Sequence, residues 1–118
     1  MTLREFYGIT GGDYENVINR LDSEVIIMKF LSRFCREFEL EQLEQEILAG
    51  NQKEASALAH TFKGACVNMG FGILEESAKQ LTEALRGECS SQVSSLFEKV
   101  KEDYKTVVKA IEELDGIS

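Results

Sequence analysis

The chain has no proline and only one histidine in 118 residues. Without proline, no helix need be broken by one. Three cysteines, Cys35, Cys66 and Cys89, form no CxxC pair. With a single histidine beside them, the pattern argues against a zinc site. No apolar run approaches the roughly 20 residues a bilayer span needs. The opening MTLREFYGIT lacks the apolar core of a signal peptide, so the cytoplasm is the expected compartment. Neither GxxxxGK[ST] nor GxGxxG occurs, which leaves no built-in ATP site. Basic residues are outnumbered, 13 against 21 acidic, for a net charge of −8. That balance repels nucleic acid and anionic membrane alike.

What is there suits one soluble globular domain. The chain is 43% hydrophobic and 29% charged, enough for one core and too short for two. Asp13 is placed to cap a brief helix through about Arg20, after a lead-in closed by Gly11-Gly12. Ser23 is placed to cap a stronger helix, with Ile27, Phe30, Leu31, Phe34 and Phe38 at helical spacing. Beyond Phe38 the phase moves to Leu40, Leu43 and Ile47, which implies a kink or a tight turn near Glu37–Glu39. Gly50 suits a helix end and Asn51 the next start. Three amphipathic helices follow: Gln52 to about Met69, one on Leu74, Ser77, Ala78, Leu81, Ala84 and Leu85 ending at Gly87, and Ser91 to about Leu114. Short links make such helices antiparallel neighbours. The expected fold is all-α: an up-and-down antiparallel four-helix bundle with a short N-terminal helical cap, a single domain over residues 1–118.

The histidine stands out within this pattern. Winding residues 52–69 at about 100° per residue puts Ala55, Leu58, Ala59, Cys66 and Met69 within roughly 60° of Phe62. His60 lands about 160° away, facing solvent. Lys63 and Gly64 lie one turn on and flank the ring. A glycine inside a helix costs about 1 kcal/mol relative to alanine. One gain that could offset this cost is bareness, which lets another molecule approach His60 closely. Lys63 supplies an ammonium for any negative charge arriving there. Ala57 and Val67 complete a small, mostly apolar surface, and Phe71 joins its margin if the helix continues past Gly70. Cys66 falls on the buried stripe and Cys35 in an apolar run, so both read as small hydrophobes.

The stretch Ala59–Leu85, AHTFKGACVNMGFGILEESAKQLTEAL, resembles the histidine-containing phosphotransfer (HPt) domains of multistep phosphorelays. Their pattern H-x-[LF]-K-G, then a glycine six residues on and a leucine-spaced helix, falls on His60, Lys63, Gly64, Gly70, Leu74 and Leu81. Leu21-Asp22-Ser23-Glu24 followed by Phe30 and Phe34 is similar to the family's first bundle helix. With the C-terminal helix, the resemblance covers about five sixths of the chain. Phe62 replaces the commoner leucine. Thr82 stands where several members carry a glutamine that hydrogen-bonds the imidazole, which leaves the ring's partner open.

The resemblance implies that His60 accepts a phosphoryl group from a receiver-domain phospho-aspartate and passes it to another receiver. It implies a hybrid sensor kinase and response-regulator receiver domains as partners, the receiver supplying Mg²⁺ and this chain no cofactor. On that reading Lys63 steadies the phosphoryl oxygens and Gly64 permits close approach. Ala57, Val67, Phe71 and Arg86 meet the partner. A monomer is expected, since nothing in the sequence demands a dimer. The rival is a non-phosphorylated helical adaptor that docks a signalling partner through the same face. A cofactor-binding bundle is disfavoured, since a haem ligand belongs in an apolar pocket that His60 does not face.

Overall fold

The computed structural model describes residues 1–87 and 90–117. Among the described residues seven α-helices follow one another: α1 Leu3–Thr10, α2 Tyr14–Leu21, α3 Glu24–Glu37, α4 Glu41–Leu48, α5 Gln52–Met69, α6 Gly72–Arg86 and α7 Val93–Glu112. A single 3₁₀ turn, Ser90–Gln92, leads into α7. The described residues contain no strand, and none of their helices is long and apolar enough to cross a membrane.

Local chemistry accounts for most of the boundaries. The Asp13 carboxylate accepts from the Glu15 amide at 3.1 Å, and the Ser23 hydroxyl from the Val25 amide at 3.1 Å. Each satisfies a donor that the first helical turn leaves unpaired. Asn51 behaves differently. Its side chain caps nothing and instead donates to Glu46 Oε2 at 2.7 Å. The phase change after Phe38 is a turn between α3 and α4, since helix stops at Glu37 and resumes at Glu41.

Helices α5, α6 and α7 pack in succession, each extensively on the next. The α3–α4 arm closes the bundle, α3 touching α5 and α7, and α4 lying on α5. One core runs through it, built on Ile27, Leu31, Phe34, Phe62, Leu74, Leu81 and Val100. The N-terminal helices are more than a lead-in. Phe6 and Tyr7 of α1 are fully buried, and the Tyr7 hydroxyl donates to the Met69 carbonyl at 2.9 Å.

These contacts fix α5 at both ends. Near its start, Gln52 Nε2 donates to the Leu85 carbonyl at 2.6 Å. Beyond its end, the α1–α2 turn crosses the α5–α6 turn backbone to backbone. A Cβ at Gly12 would collide with the Gly70 carbonyl oxygen, and one at Gly72 with that of Gly11. Only glycine permits that approach.

Candidate functional site

Helix α5 buries Ala55, Ala59, Phe62, Cys66 and Met69 and turns His60 to solvent. The burial follows the apolar stripe, because a packed bundle leaves one face of each outer helix wet. Gly64 is as bare as its type allows: a Cβ built there meets nothing within 4 Å. Lys63 is half-buried beside it, Ala57 is exposed, and Val67 is 43% exposed. These four residues share one face with His60.

Arg86, the last residue of α6, reaches the same place. Its Nη2 lies 3.2 Å from His60 Nδ1. Thr82, one turn earlier on α6, does not approach the ring. Its hydroxyl is buried and donates to the Ala78 carbonyl of its own helix at 2.8 Å. The ring's hydrogen-bond partner among the described residues is therefore an arginine. Neither Lys63 nor Arg86 pairs with a carboxylate among those residues. An acidic chain thus places two cations, uncompensated among the described residues, around its one histidine.

Phe71 must be corrected. It is fully buried, not a margin of the exposed patch. Its expected azimuth assumed a helix continuing past Gly70, whereas Gly70 takes φ +76° and ends α5. The chain turns inward there, and the Phe71 ring packs edge-on against Phe34 at 5.0 Å and Phe6 at 5.9 Å.

On the other flank of α5 lies a groove of about 560 Å³ that the sequence reading did not separate from the core. Phe30, Phe38 and Leu21 form its apolar wall, and Thr61, Gly64 and Ala65 its edge on α5. The sequence carried a faint signal for it. Phe30, Leu31, Phe34 and Phe38 make a stripe wider than α5 can cover, and Phe30 and Phe38 stay half-buried. A larger cleft of about 780 Å³ runs between α3 and residues 115–117, but it contains none of the residues around His60.

The cysteines offer no rival nucleophile among the described residues. Burial pushes the Cys66 thiol well above its ordinary range and raises Cys35 as well. A thiol held protonated is a poor nucleophile. Cys89 lies outside the described residues.

The family model of the Hpt domain matches residues 29–115, which include α4, the His60 helix α5, α6, α7 and the greater part of α3. The chain belongs to the Hpt domain family. No curated protein and no solved structure matched it. Membership places this Hpt domain among phosphotransfer components of phosphorelays, which work with receiver domains and kinases. The matched segment begins inside α3, so α1, α2 and the Tyr7 end of the Tyr7–Met69 contact lie outside it.

Proposed function

We propose that this Hpt domain is a phosphorelay intermediate that takes a phosphoryl group on His60 from a receiver-domain phospho-aspartate and delivers it to a second receiver. The observation that carries the reading is the surroundings of His60. The ring is exposed on a helix whose neighbouring turn is bare at Gly64, with two cations beside it that pair with no carboxylate among the described residues.

The chemistry asks little of the chain. An imidazole ring nitrogen attacks phosphorus with its own lone pair, while the phospho-aspartate O–P bond breaks toward the receiver's carboxylate. The receiver brings Mg²⁺ to neutralise the transferring group. Lys63 steadies the phosphoryl oxygens as a point charge. Docking buries the apolar groove beside Gly64 at its centre and places charge at the rim, with Ala57, Val67 and Arg86 on the far side of the ring. The reading needs no cofactor on this chain and no second copy of it. A hybrid sensor kinase and a response regulator are the expected partners, met by this chain in the cytoplasm.

The test is incubation with a panel of phosphorylated receivers. Wild type should form an acid-labile, base-stable adduct, and His60→Gln should form none. Because His60 is exposed, the variant's unfolding free energy should stay within about 0.5 kcal/mol of wild type. Phosphoryl acceptance by His60→Gln would overturn the reading, and no acceptance by wild type would favour the adaptor.

A further inference from the structure

Away from His60, the outer face of α3 gathers positive charge in a chain whose net charge is −8. Lys29, Arg33 and Arg36 follow at i, i+4 and i+7, which places all three within about 60° on the helix. All are exposed. Arg33 is paired with Glu37 at 2.9 Å. Lys29 and Arg36 pair with no carboxylate among the described residues. The same face opens with Val25, 67% exposed and one turn before Lys29, and its neighbour Ile26 is exposed as well.

A hollow runs along these cations. The cleft of about 780 Å³ between α3 and residues 115–117 is lined by Met28 and Ile117 as well as by Lys29, Arg33 and Arg36. Two carboxylates share it, and both are engaged. Asp115 meets the Met1 ammonium at 3.2 Å, and Glu24 accepts from the Tyr14 hydroxyl. Exposed aliphatic side chains beside methionine and arginine have the composition of a docking surface rather than of a solvated face.

We propose that this cleft binds an acidic segment of another protein, one that carries aliphatic side chains among its carboxylates. Charge complementarity selects that occupant. Each arginine can offer a carboxylate two parallel hydrogen bonds, and Lys29 offers a point charge. The three cations spread over about 10 Å of α3, so carboxylates one to two helical turns apart match them. The aliphatic side chains settle on Val25, Met28 and Ile117. A second copy presenting the same face is disfavoured, since an isologous contact sets these cations against their own copies. Anionic membrane is disfavoured by the acidity of the whole chain. None of the residues around His60 lines the cleft, so a segment held there leaves the ring uncovered. One protein can then tether the domain while another meets its histidine, which raises the local concentration of whatever the first carries. The inference stands apart from the carrier reading, since binding here needs no phosphoryl group.

The probe is a fluorescein-labelled peptide of Glu-Glu-Leu repeats, titrated with the full chain and read by fluorescence anisotropy. It should bind, and raising salt from about 0.05 to 0.3 M should weaken it severalfold. A Gln-Gln-Leu peptide should not bind measurably, and a Glu-Glu-Ser peptide should bind at least about fivefold more weakly. Lys29 and Arg36 line this cleft and not the groove beside Gly64, so they are the residues to change. The double variant Lys29→Glu with Arg36→Glu should lose about tenfold or more in affinity. One exposed pair is worth up to about fivefold, and the reversal replaces two attractions with two repulsions. The matching reversal Lys105→Glu with Lys109→Glu, exposed and one turn apart on α7, should cost no more than about twofold at physiological salt, where distant charges are screened. Amide spectra should show the peptide shifting α3 and residues 115–117, and wild-type-like spectra of both variants establish that they are folded. No binding, equal losses from the two reversals, or shifts centred on His60 would overturn the proposal. A monomer–dimer equilibrium abolished by the α3 reversal would also overturn it, making a second copy the occupant. So would phosphatidylserine vesicles that bind the chain and displace the peptide, making the face a lipid surface.

Discussion

Gly64 and Gly72 lie on consecutive helices, and a methyl group added to each would meet opposite surroundings. At Gly64 it finds open space beside the histidine. At Gly72 it strikes the Gly11 carbonyl oxygen, where two turns of backbone cross. The first glycine weakens its own helix and leaves a surface bare. The second lets the N-terminal helices seat on the end of α5. On the proposed reading the same residue type serves docking in one region and packing in the other, so composition alone cannot say which glycines the fold requires. Space around the missing Cβ can.

Gly72→Ala breaks the packing side of this contrast and should have the largest effect. Forcing a methyl into the crossing should cost about 2–3 kcal/mol in urea unfolding, since overpacked sites cannot relax without moving backbone. An unchanged midpoint would mean that the two turns separate freely. Gly64→Gln probes the other side. Transfer from a cognate receiver should slow by about 10- to 100-fold, as misplacement of reacting atoms typically does. The same variant should gain a few tenths to about 1 kcal/mol from helix propensity. Wild-type transfer by this variant would show that the partner does not pass over Gly64.

Smaller changes sharpen the two regions separately. Tyr7→Phe removes the donor to the Met69 carbonyl and should cost about 1 kcal/mol. A full-strength fold without that hydroxyl would assign the anchoring of α5 to the glycine crossing alone. Val67→Glu should have the least effect, weakening receiver binding by about fivefold in titration calorimetry while the bundle stays folded. Unchanged affinity would take Val67 out of the docking surface and leave the Phe30–Phe38 groove to carry it.

How much could be read beforehand follows from how far each inference had to reach. The outward turn of His60 and its company of Lys63, Gly64 and Val67 were legible because they need only the periodicity of one helix. The four-helix plan was legible for a related reason, since short links between amphipathic segments leave few arrangements. Phe71 was misread because its azimuth was carried across Gly70, where the backbone leaves the helix and helical phase no longer applies. The Arg86–His60 contact depends on the register between α5 and α6, which no single-helix pattern contains. The groove was hidden for another reason. Phe30 and Phe38 fall on the same stripe as Phe34, and only the position of α5 decides how much of that stripe is covered. Asn51 fits a cap by type, yet Glu46 competes for its side chain and wins.

The fastening of α5 bears on the kinetics of encounter. Gln52 holds one end to the carbonyl of Leu85, and Tyr7 with the glycine crossing holds the other. His60 lies between two fixed points, on a helix with no slack to take up. A partner arriving at this face would meet a helix held at both ends, so association should resemble rigid-body docking. Rates of about 10⁵–10⁷ M⁻¹s⁻¹ are typical where only orientation limits the encounter. Receivers that differ in strength of engagement should then arrive at similar speeds and separate by how long they stay.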